Sequence, residues 1–155
     1  MYNIALGRAL TTATTSAVHN LGMLYFNFQT GKVYRYIEAD AACTNDTLAV
    51  KEVVTWVDNG YEVTNDVSEG LGVTAPAGAA IGTIAEASFG WIQVGGQGDV
   101  YTDGSVAAGE ALVPHTVDGE ADTMAAGEEM NVFAVSNEAD HGTTEECGCI
   151  FRGLV

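Results

Sequence analysis

Apolar and polar residues alternate in short runs along most of this chain, and Gly, Asn, Asp and Glu separate the runs. Met23-Leu24-Tyr25-Phe26-Asn27-Phe28 reads as a strand, Gln29-Thr30-Gly31 as a turn, and Lys32 to Ala39 as a second strand, which predicts a hairpin. In that second strand Val33, Arg35 and Ile37 fall on one face and Tyr34, Tyr36 and Glu38 on the other. Val53 to Val57 and Tyr61 to Thr64 flank Asp58-Asn59-Gly60, and an Asn-Gly pair between β-rich runs predicts another hairpin. Residues 65–80 are rich in Gly, Ala and Ser, hold Pro76, and predict a loop. Short strands follow at Ala79–Ile84 and at Phe89–Gly96, where Trp91 and Gln93 oppose Ile92 and Val94. Val100-Tyr101, Ala111–Val113, Val132–Val135 and Cys149–Arg152 complete the series. No window sustains a 3.6-residue apolar period, which argues against long helices. About ten short strands at close spacing predict an all-β fold, a compact β-barrel or β-sandwich.

One turn phrase is written three times, as Thr44-Asn45-Asp46-Thr47-Leu48, Ala107-Ala108-Gly109-Glu110-Ala111-Leu112 and Ala125-Ala126-Gly127-Glu128-Glu129-Met130. Each copy sets a Gly or Asn, which tolerate positive φ, before an acid, a spacer and a large apolar residue. Leu48, Leu112 and Met130 would each open a buried strand. The unequal spacing of the copies makes this a recurring turn and not a domain duplication.

Residues 1–20 break the pattern. They hold Thr11, Thr12, Thr14, Thr15 and Ser16, and β-branched residues disfavour a helix. The segment reads as an extended N-terminal arm whose order depends on a partner, leaving residues 21–155 as a single β domain.

Composition narrows the partners. Among 155 residues, 21 Asp and Glu face 5 Lys and Arg, for a net charge of −16. Phosphate binding needs clustered Lys and Arg, so nucleic acid is not expected as a partner, and neither is an anionic membrane. The start Met1-Tyr2-Asn3-Ile4-Ala5-Leu6-Gly7-Arg8 lacks a basic patch before an apolar run, and no apolar stretch nears the ~20 residues of a membrane helix. The chain therefore reads as soluble and made in a cytoplasm. Cys43, Cys147 and Cys149 read as buried free thiols, because Cys147 and Cys149 on one strand face would sit about 6.6 Å apart, near the limit for a disulfide.

Four kinds of chemistry are conceivable. Asp118-Gly119-Glu120-Ala121-Asp122 and Asn137-Glu138-Ala139-Asp140 are acid-rich, yet neither has the spacing of a calcium loop, and solvated turns explain them. His141, Cys147 and Cys149 offer zinc ligands without a fourth at standard spacing. His19, His115 and His141 have no Gly-x-Ser-x-Gly elbow or phosphate loop beside them, and Gly95-Gly96-Gln97-Gly98 reads as a turn. Trp56, Trp91, Tyr25, Phe26, Phe28, Tyr34 and Tyr36 suit core or interface positions as well as a sugar platform. No catalytic, cofactor-binding or metal residue is assigned, and a non-enzymatic role is expected.

Pro76-Ala77-Gly78-Ala79-Ala80-Ile81-Gly82, Phe89-Gly90-Trp91-Ile92-Gln93-Val94-Gly95-Gly96, Val106-Ala107-Ala108-Gly109-Glu110-Ala111-Leu112-Val113, Asp118-Gly119-Glu120-Ala121 and Phe133-Ala134-Val135 form a series. This series resembles the head-decoration, or capsid cement, proteins of tailed bacteriophages, similar in kind to lambda head protein D. The likeness runs over roughly residues 30–155. It implies a small β module, commonly a homotrimer, on the outer capsid surface of the virion. There it would bridge major capsid protein subunits against internal pressure, with an N-terminal arm running onto the shell. Residues 1–20 would be that arm, with Tyr2, Ile4, Leu6, Arg8 and Leu10 as its capsid-contacting side chains, and no cofactor is implied. Another phage structural component (tail, fibre or shell protein) is the nearest alternative, and a secreted carbohydrate-binding β-sandwich is a more distant one.

Overall fold

A computed structural model describes residues 9–58, 60–69, 71–140 and 145–153. Among them lie twelve strands: β1 (Leu24–Asn27), β2 (Lys32–Ala39), β3 (Thr47–Leu48), β4 (Val53–Trp56), β5 (Glu62–Thr64), β6 (Pro76–Ala80), β7 (Ile84–Ala85), β8 (Phe89–Tyr101), β9 (Ala111–Pro114), β10 (Ala121–Thr123), β11 (Ala134–Ser136) and β12 (Glu146–Arg152). Three 3-10 turns join them, and the described residues contain no α-helix. The all-β expectation holds.

Ten strands form one sheet that closes on itself. The first ring runs β2–β5–β4–β6–β8 and returns to β2, whose Val33–Glu38 pair with Gly95–Phe89 of β8. Within it β2 and β5 are parallel, Ala39 beside Val63, and the other pairings are antiparallel. The second ring runs β8–β12–β11–β9–β10 and closes through the single bridge of Thr102 to Ala121. β8, 13 residues long, is the wall the rings share. Closure leaves the ring strands without free edges, and β1, which pairs only with β2, remains an edge strand.

Side-chain alternation fills each ring. Ile37, Val54, Val63, Ile92 and Val94 point into the first core. Val100, Leu112, Phe133, Cys147, Cys149 and Phe151 fill the second, together with Val53 and Ala79 from the outward faces of β4 and β6. The opposite faces of β2 and β8 put Tyr34, Tyr36 and Trp91 into a third, aromatic cluster outside the first ring. These are the faces that the alternation in Lys32–Ala39 and Phe89–Gly96 predicts.

Several boundaries differ from expectation. Gly95-Gly96-Gln97-Gly98 is not a turn but the middle of β8, paired through Gly95–Gly98 to Cys149–Arg152 of β12. Gly96 has φ +82°, and a Cβ there would meet the Gly31 carbonyl oxygen at 2.5 Å. Glycine lets the strand pass that close to β2 while crossing from one ring to the other. The loop expected over 65–80 ends at Ala75, and Pro76 opens β6, the position in a strand where a missing N–H costs least. The Ala79–Ile84 run breaks at Ile81–Thr83, where Gly82 packs against the Thr11 backbone. Leu48 and Leu112 are buried as the turn phrase predicts, but Met130 is 92% exposed on a 3-10 turn, and the strand starts only at Ala134.

The expected β1–β2 hairpin forms, with Leu24 opposite Arg35 and Asn27 opposite Lys32, and Phe28 falls in the turn. β4 and β5 pair with Thr55 opposite Thr64, while Asn59 of their expected turn lies outside the described residues.

Candidate functional site

The least satisfied surface is the β1–β2 hairpin. β1 lies at one end of the strand order, and residues 21–30 carry no charged side chain in a chain of net charge −16. The turn is built locally: Asn27 Oδ1 accepts the N–H groups of Gln29 at 3.1 Å and Thr30 at 3.3 Å, and Gly31 N–H reaches the Asn27 carbonyl at 2.8 Å. This fixes Phe28 at the tip, 92% exposed, with its ring 6.4 Å from that of Phe26, itself 46% exposed. Leu21 and Met23 add exposed apolar surface on the same hairpin. Aromatic side chains held in solvent by a tight turn at a sheet edge are suited to burial against another chain.

Of the expected arm contacts, Leu10 is partly buried against the Tyr34–Tyr36–Trp91 cluster, and Tyr2, Ile4, Leu6 and Arg8 lie outside the described residues. From residue 9 the segment runs over the outer face of β2 and β8. Thr14 and Phe89 exchange backbone hydrogen bonds at 2.9 and 2.8 Å, and Val18 N–H donates to the Tyr36 hydroxyl at 3.2 Å. The His19 ring meets Tyr36 edge-on at 5.0 Å and lies 5.4 Å from Trp91.

The aromatic residues do not share one platform. Tyr25, Tyr34, Tyr36 and Trp91 serve the cluster under residues 9–20, and Trp56 with Tyr61 brackets the Arg35 guanidinium at 5.6 and 5.8 Å. Cation–π contact of this kind supports a charge drawn in from water. Both lysines of the chain border a shallow cavity of about 150 Å³ near Ile81, Gln93 and Asp99, but Lys51 is spent on an ion pair with Glu146.

Candidate ligands are also committed. Asp118 accepts from the Thr44 hydroxyl at 2.8 Å and from Val67 N–H at 3.0 Å, which ties two loops together. Cys147 and Cys149 are free thiols wholly buried in the second core, while His141 lies outside the described residues. Burial pushes the Cys147 thiol up to about 11 and Cys149 to about 12, with nearby carboxylates adding to both, so neither offers a thiolate at neutral pH. Cys43 is likewise raised by burial to about 11. Linear motifs miss one constellation: Asp103, His115 and Asp122 come from three separate segments and meet where the second ring closes.

No protein-family model matches the chain, and no curated protein matches it. Among solved structures it is similar to the N base of the head fiber protein gp8.5 of bacteriophage phi29. The TM-score is 0.51 at 12% identity, over 77% of this chain and 93% of that one. At this identity the likeness is one of fold.

Proposed function

We propose that this chain is a non-enzymatic structural protein of a tailed-phage virion, seated on the outer surface of the head. The observation that carries the reading is the likeness of fold to the N base of the phi29 head fibre protein. The surface supports the decoration role. The uncharged stretch of residues 21–30, which holds Phe26 and Phe28, faces the major capsid protein, and the acidic remainder faces solvent. Burying an aromatic or large aliphatic side chain stabilises a contact by roughly 1.5–3 kcal/mol. The β1 edge can add backbone hydrogen bonds to a capsid strand. A homotrimer would repeat this contact three times, so that modest single contacts sum to firm clamping of neighbouring subunits. The fibre alternative keeps the same seat on the head but makes the domain the base of a longer appendage, and the phi29 likeness favours giving it weight.

Electron microscopy of heads incubated with the purified protein tests the proposal. Density is expected outside the shell at three-fold or quasi-three-fold positions, with the β1–β2 hairpin against the capsid. Density confined to a tail, or no density after saturation, overturns the head-surface role. Occupancy of one unique site per vertex or per face, in place of every three-fold, selects the fibre-base reading over the cement reading.

A further inference from the structure

The seam of the second ring gathers chemistry that the head-surface role does not use. Asp103 stands just past β8, His115 just past β9, and Asp122 within β10. One ligand atom from each lies within 4.8 Å of the other two. Backbone pairing sets this arrangement. Thr102 bridges Ala121, Asp103 N–H reaches the Ala121 carbonyl at 3.1 Å, and His115 N–H reaches the Glu120 carbonyl at 2.9 Å.

The side chains are already aimed. Asp122 Oδ1 accepts Thr123 N–H at 2.6 Å and the Thr123 hydroxyl at 3.4 Å, which leaves Oδ2 turned toward His115 Nε2 at 3.9 Å. Asp103 accepts Ser105 N–H at 3.1 Å and the Ser105 hydroxyl at 2.8 and 2.9 Å. A carboxylate has about four lone-pair sites, so accepting capacity remains. On the far side of the imidazole, Nδ1 is buried, has no hydrogen-bond partner, and faces Glu120 Oε2 at 3.5 Å.

We propose that Asp103, His115 and Asp122 bind a divalent first-row transition-metal cation of the zinc type, with Glu120 as the carboxylate behind His115. One imidazole and two carboxylates form a ligand set suited to zinc, whereas calcium and magnesium favour all-oxygen shells of six or more. A metal-bound histidine characteristically donates its other N–H to a carboxylate. Cation binding at Nε2 fixes the proton on Nδ1 and gives that buried nitrogen its partner in Glu120. Zinc bonds of this kind place tetrahedral ligand atoms about 3.4 Å apart, so the three atoms must draw in by roughly 1 Å. Asp103 is solvent-exposed, and its carboxylate makes that shift by giving up part of its bonding to Ser105. Two aspartates balance the charge of the dication, and the open positions are left to water. The cation would staple the ends of three strand segments at the point where a lone bridge closes the ring.

Calorimetric titration of the chelator-treated full chain with Zn²⁺, Ca²⁺ and Mg²⁺ tests this, with thermal melting and imidazole nitrogen NMR alongside. One Zn²⁺ per chain is expected, with weaker Ca²⁺ and Mg²⁺ binding, a raised melting temperature and a shift at His115 Nε2. Asp103→Asn, Asp122→Asn and His115→Ala should each weaken Zn²⁺ at least about tenfold, and Glu120→Gln about tenfold, while His141→Ala leaves binding unchanged. Asp103 is exposed, so Asp103→Asn still tests the site if His115→Ala fails to fold. No Zn²⁺ uptake, or uptake unchanged in Asp103→Asn, overturns the site.

Discussion

The Glu52 carboxylate accepts the backbone N–H of Ala49 at 2.7 Å. The same bond joins Glu110 to Ala107 and Glu128 to Ala125, again at 2.7 Å. In each case the residue before the acid has positive φ: 75° at Lys51, 89° at Gly109 and 99° at Gly127. The repeated phrase is therefore a physical unit in which the acid at the fourth position folds back over the first N–H. Its third member is Ala49–Glu52 and not Thr44–Leu48. The latter has positive φ at Asn45 and Asp46 but is closed as a 3-10 turn, with Asp46 N–H on the Cys43 carbonyl at 3.0 Å. Glu52 also accepts from the buried Asn65 amide at 2.8 Å. Urea unfolding should rank the three acids accordingly. Glu110→Ala and Glu128→Ala, at exposed bonds, should cost about 0.5–1.5 kcal/mol, and Glu52→Ala about 1.5–3 kcal/mol. Equal losses at all three would show that the Asn65 contact adds nothing.

These turns also show what can be read from sequence alone. Local rules work where one residue decides the outcome: alternation puts Tyr34 and Ile37 on opposite faces, and the Gly-acid pair marks the turns at Gly109 and Gly127. They fail where the deciding neighbour is remote. Gly96 looks like turn punctuation until β2 is known to pass beside it, and Lys51 gives no hint of positive φ. The surface is equally half-legible. Phe26 and Phe28 alternate as core residues do, but the edge position of β1 leaves Phe26 half in solvent and the turn carries Phe28 to its tip. Asp103, His115 and Asp122 share no motif because ring closure, a non-local event, brings them together.

Two glycines with similar φ should respond differently to a methyl group. Gly96 and Gly127 both have positive φ, so alanine costs about 1–2 kcal/mol at either from conformation alone. At Gly127 nothing lies within 4 Å of the added carbon. At Gly96 it meets the Gly31 carbonyl oxygen at 2.5 Å and Lys32 Cα at 2.9 Å, both backbone atoms that cannot swing away. Gly96→Ala should therefore lower stability by several kcal/mol and Gly127→Ala by only about 1–2 kcal/mol in the same denaturant series. Similar losses would mean that β2 and β8 separate at low cost.

Glu62 gives the first ring a pH dependence of unusual sign. Burial, then the hydrogen bond and charge of Asp40, and then the charges of Glu38 and Asp58 raise its pKa above the ordinary value of 4.5. Between the unfolded and folded pKa values the native state holds more protons, so this group's contribution to stability is complete below the unfolded value and is lost as pH rises through the folded one. Glu62→Gln, which keeps the shape without the charge, should raise the melting temperature at pH 7. The gain should shrink to nothing as pH falls below about 4, where wild-type Glu62 is itself protonated. A gain independent of pH would assign the effect to something other than ionisation.

Truncation should divide the N-terminal segment into two parts. Removing residues 1–8 keeps every described contact of Leu10 and Thr14, so melting should change little. Removing residues 1–20 strips the two Thr14–Phe89 hydrogen bonds, the Val18 bond to Tyr36 and the His19 ring contacts. It also uncovers Tyr34, Tyr36 and Trp91, three large side chains now buried. Exposing even a fraction of that surface, at roughly 25 cal/mol per Å², costs several kcal/mol. Head binding then separates the roles. If residues 1–8 carry the arm contacts of Tyr2, Ile4, Leu6 and Arg8, the shorter truncation should sediment less with heads at unchanged stability. Phe28→Ser should do the same through the hairpin. Full binding by both variants would place the capsid contact elsewhere on the domain.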